Sequence, residues 1–183
     1  MLSEIALIIP TKNNFKKVSF LLNFYNEQNF SGTIYLADSS KKKIFDELDV
    51  FISKNKFAFK IFHINTFGFG VSKSIMKLKK LVHENYCLQT GDDDYIFLNG
   101  LKKCLNYLKL SKNEIISCSG RGYFLNPNTK KKFFQYSINS LLSDDYMERV
   151  YKFINSGLCV QWGLTTKDIF FKIWNNEYFN NNN

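Results

Sequence analysis

Cysteine and proline are scarce in this chain. Its 183 residues include four cysteines and two prolines. The cysteines are far apart and form no Cys-x-x-Cys pair, which argues against a zinc site and a compact disulfide framework. They lie at Cys87, Cys104, Cys118 and Cys159. Reduced thiols are typical of a reducing compartment, and we therefore expect a cytoplasmic protein.

Long hydrophobic runs are missing as well. The first apolar stretch, residues 5–9, is shorter than a signal-peptide core and far shorter than a segment that crosses a bilayer. A chain of this length fits one domain that buries about 70% of its unfolded surface. We expect that domain to cover residues 1–179, followed by a frayed asparagine tail at 180–183.

Arginine is the third scarce residue type. The formal net charge is +9, yet only Arg121 and Arg149 are arginines. Such a charge suits a nucleic acid, an anionic membrane or a phosphate-rich ligand. The chain is also crowded with Asn, Ile, Phe and Tyr, which share A- and T-rich codons with lysine. Base composition therefore explains the charge equally well.

Histidine is scarce too, and neither copy is paired with a motif. His63 lies in an apolar strand pattern and His83 lies late in a basic helix pattern. Neither has a neighbour in sequence that indicates a metal ligand or a catalytic triad. We therefore expect both histidines to be structural.

What the chain does contain is a regular alternation of strand and helix patterns. Residues 5–9 form a continuous apolar run, as expected for a strand buried on both faces. Apolar residues then recur at helical spacing to about residue 28. The alternation continues with predicted strands at 33–37, 59–64 and 86–89 and predicted helices at 44–54, 71–84 and 99–110. This order predicts an α/β domain with a mostly parallel central sheet flanked by helices.

The pattern is looser in the last third of the chain. The segments predicted there are a strand at 114–119, a loop at 120–132, a strand at 133–138, a helix from Ser143 through 154, a strand at 159–162 and a final segment at 167–174.

Three polar clusters follow predicted strands. They are Pro10-Thr11-Lys12-Asn13, Asp38-Ser39-Ser40 and Asp92-Asp93-Asp94. Ligands of parallel α/β sheets bind beyond the carboxyl ends of the strands. One crevice at that edge is therefore expected to hold all three clusters.

The aspartate triplet carries the strongest chemical signal. Carboxylates about 5 Å apart repel by ~3 kcal/mol per pair at an effective dielectric of about 20. A divalent ion relieves that repulsion, and Mg²⁺ or Mn²⁺ prefers oxygen ligands and often shares its shell with phosphate. The triplet thus predicts a metal-assisted site for a phosphorylated substrate. The alternative is a solvated acidic turn before a helix that Asn99 caps.

These motifs resemble those of the GT-A glycosyltransferases, and especially of glycosyltransferase family 2, over essentially the whole chain. Residues 8–13 are similar to the family's opening strand and its Pro-Thr-x-Asn turn, with Asn14 in place of a frequent arginine. The resemblance implies a single Rossmann-like GT-A domain with Pro10 and Thr11 at the donor site.

The same resemblance extends to two further donor-binding positions. Ala37-Asp38-Ser39-Ser40 is similar to the Asp-Asp-x-Ser segment that reads the nucleotide, with Ala37 replacing the first aspartate. It implies that Asp38 contacts the base or the ribose. The stretch at 68–74 is similar to the family's glycine-rich helix entry, which implies that Lys73 lies near the donor.

The acidic segments complete the resemblance. Gly91-Asp92-Asp93-Asp94 is similar to the family's metal motif, with Gly91 in place of a frequent aspartate. It implies that Asp92 faces the ribose, that Asp93 is the principal ligand of Mn²⁺ or Mg²⁺, and that Asp94 supports it.

Ser143-Asp144-Asp145 resembles the family's late acidic pair, whose second acid is the catalytic base. The resemblance implies that Asp145 has this role. A helix cap is the alternative for Asp144 and Asp145, because carboxylates favour the positive end of a helix.

The resemblance implies a metal-dependent, inverting enzyme that moves a sugar from a nucleotide-diphosphate sugar to a hydroxyl acceptor in surface polysaccharide or glycan synthesis. The resemblance also implies a glycan or lipid-linked acceptor. A lipid-linked acceptor would bring the protein into peripheral contact with the inner face of the membrane. One alternative is a truncated or inactive transferase remnant, since 183 residues are few for this family. Another is a basic nucleic-acid-binding domain, but an acidic triplet at the ligand crevice does not suit it, and we expect no nucleic-acid partner.

Overall fold

The computed structural model describes residues 2–111, 115–125, 129, 132–136, 140–156 and 163–175. The strands are β1 (Ile5–Thr11), β2 (Thr33–Asp38), β3 (Lys60–Asn65), β4 (Tyr86–Gln89), β5 (Ser117–Cys118), β6 (Gly122–Leu125), β7 (Lys132–Tyr136) and β8 (Leu164–Thr166). The helices are α1 (Phe15–Glu27), α2 (Lys42–Lys54), α3 (Val71–Leu78), α4 (Leu98–Leu110), α5 (Tyr146–Ser156) and α6 (Lys167–Trp174).

Four parallel strands form the larger part of a six-stranded sheet with the order β3-β2-β1-β4-β8-β5. β1 pairs in parallel with β2 and with β4, and β2 pairs in parallel with β3. β8 is antiparallel to both β4 and β5, and β6 pairs with β7 in a separate antiparallel ribbon. The predicted α/β class with a mostly parallel sheet is confirmed.

Helices cover both faces of this sheet, which explains the continuous apolar run in β1. Alternate side chains of a strand point to opposite faces. Ile5, Leu7 and Ile9 pack in a core with α1, α2 and α4, whereas Ala6 and Ile8 pack in a second core with α3 and α6. All five of these residues are fully buried. A strand enclosed on both sides has no polar face, so its sequence does not alternate.

Several predicted segments need correction. The helix that begins at Val71 ends at Leu78 rather than at residue 84. The backbone that follows forms hydrogen bonds between residues three positions apart, such as Leu81 N–H to Leu78 O, instead of continuing the α-helix. The N-cap of α4 is Phe97, so Asn99 lies inside the helix and does not cap it. The predicted loop at 120–132 contains β6. This strand forms because it pairs with β7, and local composition does not reveal that pairing.

The remaining differences concern the last third of the chain. β5 is shorter than its predicted strand, and β8 was not predicted. The predicted strand at 159–162 and the tail at 180–183 lie outside the described residues. Within the described part of the chain, no helix is long and apolar enough to cross a membrane.

Candidate functional site

The turns after β1 and β2 are joined directly by hydrogen bonds. The backbone N–H of Ser39 donates to Thr11 O at 2.9 Å, and the N–H of Asn13 donates to Ser40 Oγ at 2.7 Å. Asn13 has φ 56°, in the left-handed region that asparagine tolerates better than most residues. This backbone turn lets the chain after β1 reach across to the neighbouring strand before α1 begins.

The β4 turn is joined to the same place through Asp92. Asp92 Oδ2 accepts a hydrogen bond of 2.6 Å from Thr11 Oγ1 and another of 2.8 Å from Asn14 Nδ2. Asp92 is 9% exposed, so these neutral donors stabilise a carboxylate that is nearly out of water. The three polar clusters identified in the sequence thus lie at one edge of the sheet.

Asp93 and Asp94 differ from Asp92 in their surroundings. Asp93 is exposed and its Oδ2 lies 2.8 Å from Lys17 Nζ. Burial raises the pKa of Asp94, and the charges of Asp93 and Asp92 raise it further, while a hydrogen bond from the Gly91 N–H opposes the change. The carboxylates therefore repel one another here, as the sequence predicts.

The carboxylates of Asp93 and Asp94 both lie against the bare Cα of Gly91, whose N–H donates to Asp94 Oδ2 at 3.3 Å. A Cβ at Gly91 would lie 2.8 Å from Asp94 Oδ2 and 3.2 Å from Asp93 Oδ1. Both oxygens therefore face one point beside the bare Cα. Two carboxylate oxygens about a common point are a donor set that suits Mg²⁺ or Mn²⁺.

The protein supplies only part of a complete metal shell. Among the described residues, no group of three or more His, Cys, Asp or Glu side chains is arranged to hold a metal ion. An ion held by Asp93 and Asp94 would need water and substrate oxygens for its other positions. This division is the usual one for Mg²⁺ sites that bind phosphates.

Asp38 lies at the end of β2 and is fully buried. Oδ1 accepts a hydrogen bond of 2.7 Å from the Ser40 N–H, and Oδ2 lies 3.0 Å from His63 Nε2. Burial alone would raise the pKa of Asp38, but these hydrogen bonds outweigh it and hold the pKa below its usual value. Because Asp38 is fully buried, a direct contact with a base or ribose would require the residues around it to move.

A cleft of about 310 Å³ opens beside this buried aspartate, between α2 and the end of β3. Its walls include two phenylalanines and several polar or charged residues, namely Phe45, Phe67, Ser40, Asn65, Lys41, Lys42 and Asp46. Phe67 is 64% exposed. The cleft combines apolar rings with a few polar groups, as small-molecule sites commonly do.

Three other predicted site residues occupy different positions. Pro10 pairs with Ala37 in the sheet, next to the turn. Lys73 is exposed in the first turn of α3, after the N-cap Gly70. Asp145 directly precedes α5, and its Oδ1 accepts a hydrogen bond of 2.8 Å from the Met147 N–H. Asp145 therefore acts as a helix cap, and its catalytic role stays a prediction.

Sequence reasoning missed three residues that contact the predicted site aspartates. Asn14 binds Asp92, Lys17 pairs with Asp93, and His63 binds Asp38. Asn14 and Lys17 follow the turn after β1. The only sequence signal for their contacts was that β1 and β4 are parallel, which brings the residues after both strands to the same edge of the sheet. No local signal distinguished His63, whose partner is 25 positions away.

Comparison with known proteins supports the fold. No protein-family model and no curated protein sequence matches the chain. The mannosyltransferase PcManGT from Pyrobaculum calidifontis, in complex with GDP-Man and Mn²⁺, is similar with a TM-score of 0.53 and 14% identity, covering 68% of this chain and 36% of that chain. S. aureus TarS 1-349 is similar with a TM-score of 0.47 and 22% identity, covering 59% of this chain and 33% of that chain.

TarS 1-349 in complex with UDP-GlcNAc is similar to the same extent, with 59% of this chain and 32% of that chain covered. The chain thus spans about a third of the length of these solved structures. At 14% identity, the likeness to the mannosyltransferase shows a shared α/β fold and no more.

Proposed function

We propose that the protein is a metal-dependent glycosyltransferase that uses a nucleotide-diphosphate sugar. The observation that carries this proposal is the pair of oxygens, Asp93 Oδ1 and Asp94 Oδ2, that face the bare Cα of Gly91 at the carboxyl edge of the sheet. The fold shared with a mannosyltransferase that was solved with GDP-Man and Mn²⁺ supports it.

The donor would lie across the turns after β1, β2 and β4. Thr11 and Asn14 both donate to Asp92 Oδ2, so Oδ1 would be the oxygen that contacts the donor ribose. Pro10 shapes the adjoining turn, and Lys73 supplies positive charge at the start of α3. The cleft beside Ser40 would bind the base. Asp38 would support the donor site by holding the turn after β2 through its hydrogen bond with Ser40.

Asp93 and Asp94 would hold Mn²⁺ or Mg²⁺ together with the donor diphosphate. When bound, the ion supplies positive charge that neutralises the departing diphosphate. Lys17, which neutralises Asp93 at 2.8 Å, is a second cationic group beside the same carboxylates. The protein therefore orients the donor through fixed oxygens and adds positive charge where the leaving group develops negative charge.

Transfer with inversion needs a base on the acceptor side. Asp145 is our candidate: it would take the proton of the acceptor hydroxyl while that oxygen bonds to the anomeric carbon and the bond to the diphosphate breaks. Its Oδ1 accepts the hydrogen bond from the Met147 N–H, which fixes the carboxyl group at the start of α5.

The acceptor is the least constrained part of the proposal. We propose a glycan or a lipid-linked glycan, within surface polysaccharide synthesis in the cytoplasm. With a lipid-linked acceptor the enzyme would work at the inner face of the membrane, where its net charge of +9 favours anionic lipid.

Calorimetry with a panel of nucleoside diphosphates and nucleotide sugars tests the proposal. We expect at least one to bind in Mn²⁺ and to lose its binding in chelator. A basic nucleic-acid binder would instead hold single strands in chelator, with affinity that falls steeply between about 50 and 200 mM salt. Either that result or the absence of any metal-dependent ligand in the panel would overturn the proposal.

A further inference from the structure

The ring of His63 lies between two carboxylates. Its Nε2 is 3.0 Å from Asp38 Oδ2 and its Nδ1 is 3.2 Å from Asp49 Oδ1. Phe45 stacks on the ring with a centroid distance of 4.0 Å and an interplanar angle of 18°. The His63 side chain is 4% exposed although β3 is an edge strand. The two carboxylates and the Phe45 ring therefore fix the position of the imidazole.

The two carboxylates differ in how much they depend on His63. The Asp38 side chain is 1% exposed, whereas that of Asp49 is 64% exposed. A buried carboxylate without partners is strongly destabilising, but an exposed one is solvated by water. The contact that matters is therefore the one between Nε2 and Asp38.

Asp38 passes this constraint to the turns of the candidate site. Its other oxygen accepts the Ser40 N–H at 2.7 Å, and Ser40 Oγ accepts the Asn13 N–H at 2.7 Å. Asn13 Oδ1 in turn accepts the Lys41 N–H at 3.1 Å. The chain of bonds from His63 thus fixes the turn after β2 against the turn after β1.

The next residue completes the connection to the acidic triplet. Asn14 follows Asn13 directly and donates to Asp92 at 2.8 Å. The left-handed backbone of Asn13 sets the direction in which Asn14 leaves the turn. A change in the Asp38 contact would therefore alter the turn that holds Asp92.

We propose that His63 is a positioning residue of the donor site, which holds Asp38 and through it the paired turns after β1 and β2. The proposal rests on the proposed function, because it takes a nucleotide diphosphate as the ligand of those turns. His63 and Asp38 then act without touching the donor.

Two amides of different length test this role. Glutamine places its side-chain nitrogen near the position of Nε2, and asparagine places its nitrogen near that of Nδ1. His63→Gln can therefore still donate to Asp38, whereas His63→Asn keeps at most the contact with Asp49. We expect His63→Gln to bind the nucleoside diphosphate with Mn²⁺ nearly as the wild type does, and His63→Asn to bind it about tenfold or more weakly, as for other groups that orient a ligand.

Tyr35→Phe is the matched control for lost stability. The Tyr35 hydroxyl is bonded to Glu84 Oε2 at 2.9 Å and to Leu81 O at 3.0 Å, away from the three turns. This variant also loses a hydrogen bond of a buried residue, so its melting temperature should fall while its Kd stays that of the wild type. All titrations are run well below the lowest melting temperature of the set.

The outcomes separate the two proposals. If the wild type binds a nucleoside diphosphate and a folded His63→Asn binds it equally well, the positioning role is refuted and the proposed function stands. If the wild type binds none with Mn²⁺, the proposed function fails and the positioning role fails with it. Should His63→Asn not fold, Asp38→Asn takes its place, since it keeps the acceptor for Ser40 but loses the charge that pairs with His63, and the same weakening is expected.

Discussion

Replacing Asp93 with asparagine should abolish metal-dependent donor binding while leaving the fold intact. Asp93 Oδ1 is one of the two carboxylate oxygens that lie against the bare Cα of Gly91. An amide oxygen is a much weaker ligand for Mg²⁺ or Mn²⁺ than a carboxylate, because it carries no full charge. The change keeps the size of the side chain, so the packing of the turn is preserved.

The expected effect on stability without ligand is small. Carboxylates about 5 Å apart repel by ~3 kcal/mol at an effective dielectric of about 20, but solvent around the exposed Asp93 reduces this to roughly 1 kcal/mol. The ion pair between Lys17 and Asp93, whose side chains are 51% and 58% exposed, is largely screened by solvent and contributes little. Loss of the repulsion stabilises the protein and loss of the ion pair destabilises it. The melting temperature should therefore move by less than about 4 °C.

The effect on ligand-induced stabilisation is much larger. A ligand at 100 times its Kd stabilises the native state by about 2.7 kcal/mol. For a domain of this size that raises the melting temperature by roughly 5–10 °C. Wild type should show this shift with Mn²⁺ and nucleoside diphosphate together, and Asp93→Asn should show almost none.

Glu4→Gln is the matched control. Glu4 also pairs with a lysine, Lys109, at 2.5 Å, but it lies before the amino end of β1, at the opposite edge of the sheet. It should keep the full ligand-induced shift. If Asp93→Asn keeps it as well, the assignment of Asp93 as a metal ligand is wrong.

Three further predictions follow from single residues. Asp145→Asn should lower turnover by roughly 10² to 10⁴ with donor affinity nearly unchanged, and Asp144→Asn should be milder; equal losses of about 1 kcal/mol in stability with turnover retained would leave only the helix cap. Gly91→Ala should weaken Mn²⁺-dependent binding in calorimetry, because its Cβ would lie 2.8 Å from Asp94 Oδ2; unchanged binding would count against the metal position. The pKa of Asp38 is lowered on folding, so its ionised form stabilises the protein above the unfolded value near 3.8 and loses this effect as the pH falls further. In acid-unfolding curves Asp38→Asn should therefore be less stable than wild type at pH 7, with a gap that narrows below about pH 4; a gap independent of pH would contradict this.

The order of strands and helices was accessible from the sequence because it is written in local patterns. β4 has the predicted bounds, and most other elements of the first 110 residues begin and end within two residues of prediction. The exceptions depend on distant partners: β6 exists because β7 pairs with it, and β8 exists because it fits beside β4. A short strand of this kind has too few residues to show a period of its own.

The sequence by itself determined the α/β class and the place of the acidic triplet at the end of a strand. Each apolar run and the polar turn after it consist of consecutive residues, so local sequence is enough to recognise them. Only the tertiary structure decided which atoms meet there. Thr11 reaches Asp92 across 81 positions, and His63 on the edge strand β3 reaches Asp38 on the neighbouring strand β2. Hydrogen bonds act over about 3 Å, so they depend on which strands are neighbours and in which register. Local periodicity contains neither, and the partners of the site residues could therefore be found only in the folded chain.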